Sequence, residues 1–364
     1  MASLKYIAGP EDLGKQLKTV VKEQFSISAR LMTKLRKGER ILVNGAPCPG
    51  WVTVLEGDRV EVLLPEERSD FQPEEMPIDV VFEDEWLMVV NKGPGIVAHP
   101  TKGNYSHTLL NGITYRMLQD AVLSDGTLDE GRLFKVRLTN RLDMNTSGLV
   151  IVAKHSYVQD HLIRQMEEGK LVKHYTALLE GIVDEDQGTV DLPIGLPDEN
   201  YPERWILEPE KGGYPSVTEY KVIKRYNCPH HMVYGRENTE LRPVEGYTLM
   251  DLRLLTGRTH QIRVHMSGMG HPVAGDHLYC HGDPFRYREQ FGAPEKGETN
   301  PEVVSELISR QALHARSLGF THPVTGEEMF VEAPLPEDME KALAILENGQ
   351  GANKRNSNEQ TGII

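Results

Sequence analysis

The chain has 364 residues, 39% of them hydrophobic, with 33 Gly, 22 Pro and a formal net charge of −14. That length holds two or three domains with a sizeable core, and the composition is that of an ordinary globular protein. No apolar run approaches the roughly 20 residues that span a bilayer. The opening residues lack the apolar core of a secretory signal. The three cysteines (Cys48, Cys228, Cys280) are too few and scattered for a disulfide framework. No membrane partner and a cytoplasmic location are expected.

Residues 1–64 form a first block. Leu17, Val20, Val21 and Phe25, then Leu31, Met32 and Leu35 after Ser26-Ile27-Ser28, predict a helical hairpin. Asn44-Gly45 signals a tight turn between short strands, and a further strand follows Gly57-Asp58. Charge is segregated: residues 15–40 carry eight Lys or Arg against two Glu, whereas residues 56–85 carry twelve acids against two Arg. An acidic protein can therefore still offer phosphates a basic face, on which Arg30, Lys34, Arg36 and Lys37 are candidates.

Residues 65–77 read as an acidic, Pro-punctuated linker. From 78 to 336 the chain is strand-rich, with strands expected at 78–83, 87–91, 149–153, 174–180, 218–224 and 247–255. A helix is expected over 156–168, stopped by Gly169. This pattern points to a mixed α+β domain. Residues 226–246 and 281–305 look like surface excursions. Residues 337–364 read as a terminal helix that gives way, from about 345, to a disordered polar tail.

The most informative stretch is Lys135–Lys154 (KVRLTNRLDMNTSGLVIVAK). It sets Asp143 on a small polar turn at the mouth of an apolar, β-branched strand. A carboxylate there is expensive without a partner or a task. Arg141 could supply an ordinary surface pair. Three other segments concentrate chemistry: Gly93-Pro94-Gly95 running to His99, Lys173-His174-Tyr175, and Thr256-Gly257-Arg258-Thr259-His260-Gln261-Ile262-Arg263-Val264-His265.

In order, Arg-Leu-Asp-x-x-Thr-Ser-Gly-Leu, Lys-x-Tyr-x-Ala and Gly-Arg-Thr-His-Gln-Ile-Arg-Val-His resemble the RluA-type RNA pseudouridine synthases. Asn91-Lys92-Gly93-Pro94-Gly95 and Leu313-His314-Ala315-Arg316 match as well, so the resemblance covers about residues 78–336. Block one resembles the small αL-type RNA-binding module of the ribosomal S-four kind. The resemblance implies a pseudouridine synthase fold with a central, mainly antiparallel mixed sheet. It puts the catalytic aspartate at Asp143, the active-site tyrosine at Tyr175 and the aspartate's basic partner at Arg263. One departure is visible: the residue before Arg-Leu-Asp is often His in the family and is Asn140 here.

These residue types suit the reaction. Exchanging a base–sugar nitrogen bond for a carbon bond generates an electron-poor fragment that a carboxylate can attack or stabilise. In a water-poor pocket that carboxylate needs a guanidinium to stay ionised. A uridine inside a helix must be flipped out, and a tyrosine can stack on the extruded base. Arg141, Arg258, His260 and Gln261 are candidates for phosphate and base-edge contacts. Neither cofactor nor metal is required. The expected partner is RNA, ribosomal first and tRNA second, not DNA, and the expected state is a monomer.

Two rival readings remain. His260, His265, His271, His277 and His281, with Asp276 and Asp283, could suggest a metal hydrolase, but no His-Glu-x-x-His or paired Cys-x-x-Cys spacing accompanies them. A non-catalytic RNA-binding protein on the same scaffold would have lost Asp143, Tyr175 or Arg263, and all three are present.

Overall fold

Asn44 and Gly45 both take positive φ, 50° and 84°, and close the first hairpin as their sequence predicts. In the computed structural model, residues 2–100, 105–197, 203–227, 230–234, 242–279, 303–304 and 307–359 are described. The N-terminal block consists of β1 (Ser3–Ile7), α1 (Leu17–Phe25), α2 (Ala29–Lys37), β2 (Ile41–Val43), β3 (Ala46–Pro47) and β4 (Arg59–Leu63). Its antiparallel sheet has the order β1-β4-β2-β3. Leu17, Val20, Val21, Leu31 and Leu35 are buried, as their helical spacing requires. Ser26 ends α1 in a left-handed conformation, and Ser28 caps α2 by accepting the Leu31 N–H at 3.4 Å.

The remaining elements in chain order begin with β5 (Asp79–Glu83), β6 (Leu87–Lys92), α3 (Leu109–Ala121), β7 (Arg137–Leu138), β8 (Ser147–Ala153), α4 (Ser156–Glu167) and β9 (Val172–Glu180). Then come β10 (Gln187–Asp191), β11 (Ile194–Gly195), β12 (Trp205–Ile206), β13 (Val217–Tyr226), β14 (His230–Tyr234), β15 (Arg242–Val244) and β16 (Tyr247–Leu254). Last are α5 (Gln261–Gly268), β17 (Val303–Val304), β18 (Leu313–Thr321), β19 (Glu328–Glu332) and α6 (Glu337–Glu359). The central sheet has ten strands in the order β10-β13-β16-β9-β18-β8-β6-β5, with β7 added on β8 and β19 on β18. Among the described residues every pairing in it is antiparallel except β8 with β18. The fold is α+β.

β8 shows why. All seven of its residues are buried, and they alternate between two cores. Val150 and Val152 join the cluster beneath α3, α5 and α6, while Leu149, Ile151 and Ala153 join the one beneath α4. Gly148 is obligatory where β8 meets β18: its φ is 115°, and a Cβ there would overlap the Ala315 backbone.

The second core is continuous with the N-terminal block, running from Leu4, Leu17 and Leu31 to Val89, Ile151 and Phe320. Polar ties reinforce it. Arg164 and His161 of α4 donate to the carbonyls of Ser26 (2.6 Å) and Phe25 (3.1 Å) at the end of α1. Residues 65–77 form neither helix nor strand, but they are pinned. Gln72 O accepts from Asn111 at 2.8 Å, Glu74 accepts from the His107 N–H at 2.7 Å, and Met76 lies against Gly112.

One expectation needs amendment. The stretch from 345, expected to be disordered, continues α6 as helix through Glu359. No proline interrupts it, so the helix seated on buried Met339, Ala342 and Leu346 propagates; residues 360–364 lie outside the described set. The first excursion, expected as a surface loop or hairpin, carries two antiparallel strands. β14 pairs with β15, and also with β17 from the second excursion, through Val233 and Val304. Residues 281–302 lie outside the described residues.

Candidate active site

Asp143 sits on the turn that feeds β8, with the Thr146 N–H donating to its carbonyl at 3.1 Å. Cations hold the turn from below. Lys92, at the end of β6 and 1% exposed, donates to the carbonyls of Gly93 (2.8 Å), Ile96 (3.0 Å) and Met144 (2.9 Å). Arg310 donates to the Asn145 carbonyl at 3.0 Å and forms a doubly bonded pair with Asp338 in the first turn of α6, at 2.6 and 2.8 Å. The Gly93-Pro94-Gly95 turn, the aspartate turn and the C-terminal helix are thus fastened together by two buried side chains.

The Asp143 carboxylate is part-exposed and accepts from Arg263 Nη1 at 3.0 Å. Arg263 projects from α5, nearly buried, and gives its other edge to Asp276, Nε to Oδ2 at 2.6 Å and Nη2 to Oδ1 at 2.8 Å. Asp276 is fully buried and also accepts the Leu278 N–H at 3.0 Å. Burial works against both charges. The Asp276 and Asp143 carboxylates more than offset it and hold the guanidinium firmly protonated, while Arg263 and the Leu278 amide hold Asp276 below the usual carboxylate range. One cation thus serves two carboxylates. The two carboxylates share one guanidinium, and Asp143 is the one that reaches solvent.

Tyr175, in β9, is 6% exposed. Burial, then the nearby Asp143 carboxylate, push its hydroxyl well above the ordinary phenol range, so it stays protonated. His260 Nε2 lies 3.9 Å from Asp143 Oδ2. Its backbone takes the left-handed region (φ 58°) as it opens α5. Tyr279 OH accepts the Arg204 N–H at 2.8 Å and lies 2.9 Å from His260 Nδ1. The two share a hydrogen bond, and a phenol that donates to Nδ1 leaves the imidazole proton on Nε2, on the side of Asp143. Burial pulls the His260 pKa down to about 4, against the pull of Asp143, so the ring is neutral at pH 7. The guanidinium of Arg263 lies over the Tyr279 ring, 5.0 Å from its centre.

Asp143, Tyr175, Arg263 and His260 therefore converge. The pairing of Asp143 with Arg263, rather than with its exposed neighbour Arg141, removes the reading of a turn acid matched along the sequence. Arg258 is exposed at the rim, its guanidinium over the Tyr214 ring and its Nε donating to Pro215 O at 3.3 Å. Gln261 is a correction. It is 2% exposed, and its amide is consumed internally. Nε2 donates to Val217 O and Thr218 Oγ1, both at 3.0 Å, and Oε1 accepts from Thr256 (2.8 Å) and the Arg258 N–H (3.0 Å). No base edge can use it. Arg30, Lys34, Arg36 and Lys37 are exposed on α2, with Lys34 paired to Glu67 at 2.8 Å.

A family model described as RNA pseudouridylate synthase matches residues 86–268, half of the chain and the part that carries Asp143, Tyr175 and Arg263. The chain belongs to the RNA pseudouridine synthases. It is 34% identical to the ribosomal large subunit pseudouridine synthase D of Neisseria meningitidis, over 91% of this chain and 78% of that one. It is 31% identical to the protein of the same name from Haemophilus influenzae, over 93% of each. A third similar protein, the uncharacterized RNA pseudouridine synthase YhcT of Bacillus subtilis, is 34% identical over 92% of this chain and 95% of its own length. The synthase is an isomerase of the RluA type.

Three side chains of the synthase's site escape a reading of the sequence. Lys92 is visible there only as part of a motif, though a lysine ending an apolar strand is itself a signal. Asp276 stands out only as a metal-ligand candidate. Tyr279 carries no motif. Among the described residues no three His, Cys, Asp or Glu side chains are grouped so as to hold an ion. Three histidines of that rival reading serve the fold: His265 bonds Thr218 and Leu192 O, each at 2.9 Å, His271 bonds Glu180 O at 3.0 Å, and His277 bonds Ser309 O at 2.9 Å. His281 and Asp283 lie outside the described residues. Asn140, the departure from the family pattern, is bound to β8. Its Nδ2 donates to Leu149 O at 3.1 Å and its Oδ1 accepts the Ile151 N–H at 2.9 Å. No described helix is long and apolar enough to cross a membrane.

Proposed function

We propose that this synthase converts uridines of large-subunit ribosomal RNA to pseudouridine, with Asp143 as the reacting carboxylate. The observation that carries the assignment of Asp143 is its bond to a nearly buried guanidinium already fixed by a second acid. Such an arrangement keeps one ionised oxygen pair at a defined place in the cleft. The names of the Neisseria and Haemophilus relatives favour the ribosomal target.

The uridine swings out of its helix into the cleft. Tyr175 offers a flat face on which the base rests, and its hydroxyl, fixed in the protonated form, donates or relays a hydrogen bond. The N1–C1′ bond breaks as Asp143 attacks or shields the electron-poor fragment. The base turns and C5 joins C1′, and any bond that Asp143 formed to the fragment breaks in the same exchange, so the carboxylate is regenerated. C5 then gives up its proton and N1 gains one, so atoms and electrons balance without a cofactor. His260 Nε2 stands 3.9 Å from Asp143 and, in the tautomer that carries its proton there, steadies whichever oxygen is not engaged. The cations of α2 and Arg258 at the rim hold the RNA backbone.

The test is pseudouridine mapping of total RNA from cells with and without this gene, complemented with wild type or Asp143→Asn. The proposal expects large-subunit sites that vanish on deletion and return only with wild type. Sites lost from tRNA alone would overturn the ribosomal target, and return with Asp143→Asn would overturn the role of Asp143.

A further inference from the structure

Lys173 is a cation that the fold has placed but not paired. It lies two residues before Tyr175 on β9. Its ammonium also stands beside the turn leading to His260, 3.5 Å from where a Cβ on Gly257 would sit. Its place on β9 and this distance set it between Tyr175 in sequence and the turn that carries Arg258 in space. The residue is half-buried. Other lysines near the sheet find partners: Lys92 has three carbonyls, Lys154 has Glu83 at 2.9 Å, and Lys34 has Glu67 at 2.8 Å. Lys173 makes neither ion pair nor hydrogen bond among the described residues. Burial, with no compensating charge, pulls its pKa below the ordinary lysine value.

We propose that Lys173 binds a phosphodiester of the RNA backbone next to the uridine that enters the cleft. A partly dehydrated ammonium without a counterion costs stability until an anion arrives. Reading the chain as a synthase, the anion brought to this rim with every substrate is an RNA phosphate. A lysine suits that task as a compact charge with three donors and no demand for planar geometry. Gly257 keeps the approach open, because any longer side chain on that turn would cover the ammonium.

The experiment uses the full chain carrying Asp143→Asn, so that binding is read without turnover, and a short RNA that the wild-type chain converts. Affinity is measured across a salt series. Lys173→Gln is expected to weaken binding by about tenfold and to reduce the slope of log affinity against log salt by about one, with Lys173→Arg restoring both. Replacing the linkage on either side of the target uridine with a neutral methylphosphonate should weaken the Lys173 protein at one of the two positions and leave Lys173→Gln unaffected there. An unchanged salt slope in Lys173→Gln, or equal methylphosphonate penalties in both proteins, overturns the assignment. If Lys173→Gln fails to fold, indifference of the Lys173 protein to both neutral linkages overturns it equally. Which RNA the wild type converts is read separately, so a wrong target RNA does not imitate either result.

Discussion

Arg263 gives two of its N–H bonds to Asp276, at 2.6 and 2.8 Å, and one to Asp143, at 3.0 Å. The fully buried acid thus holds the guanidinium more completely than the part-exposed one. Asp276→Asn keeps the shape but removes the charge that aims Arg263. The expected result is a fall in turnover of about 10- to 100-fold with RNA affinity retained, checked by single-turnover kinetics beside equilibrium binding.

Removing either end of the pair facing the cleft has different consequences. Asp143→Asn should abolish pseudouridine formation and leave RNA binding and melting temperature near wild type, because that carboxylate is part-exposed. Arg263→Ala leaves Asp276 buried and uncompensated, and should cost about 3–5 kcal/mol of stability as well as activity. Chemical denaturation of the two variants side by side separates the outcomes, and an undiminished midpoint for Arg263→Ala would contradict the pairing.

Lys92 is expected to give the reaction a pH dependence. Burial lowers its pKa to about 7, against the pull of the Asp143 carboxylate. Three carbonyls surround its nitrogen, and only the ammonium has three protons to give. Turnover should therefore fall as pH rises through about 7, and the limb should disappear in Lys92→Arg if that variant folds. Stability runs the other way. Between about 7 and the ordinary lysine value of 10.5 the unfolded chain holds a proton that the folded one has released, so this group's contribution to stability rises with pH across that window. A pH–rate profile and a pH series of denaturation midpoints check the two signs.

Gly148→Ala should be among the most destabilising small changes in the chain. The new methyl group meets the Ala315 backbone at the crossing of β8 and β18, in a conformation that L residues rarely adopt. Overpacking and backbone strain together predict a loss of about 3 kcal/mol. The melting temperature of the purified variant is the measurement.

Replacing Arg30, Arg36 and Lys37 together by Gln should weaken RNA binding and flatten its salt dependence by about one unit of slope for each phosphate no longer neutralised. These side chains are exposed on α2, so the melting temperature should hold. An unchanged salt slope would remove α2 from the RNA path.

Much of this is legible in the sequence, for identifiable reasons. β6, β8, β9, β13 and β16 fall within two residues of their expected limits, because runs such as Leu149-Val150-Ile151-Val152 suit a strand buried on both faces. The convergence of Asp143, Tyr175 and Arg263 follows from the order of three motifs. α5 gives no helical signal: Gln261 through Ser267 are all buried, so no polar face marks its period. The same burial explains the misreading of Gln261, whose amide looks available in sequence and is spent on β13. Asp276 escapes because its value lies in the geometry of one guanidinium. β18 is hidden by His314 and Arg316, polar residues inside a central strand.

The seam between the N-terminal block and the sheet has a consequence for how substrates are chosen. Apolar side chains run unbroken across it, and α4 grips the end of α1 through Arg164 and His161. The separation between the cations of α2 and Asp143 is thus fixed like the jaws of a calliper. If the RNA engages both, as proposed, it must match a gap set by packed atoms, and a uridine at any other span would meet only one jaw.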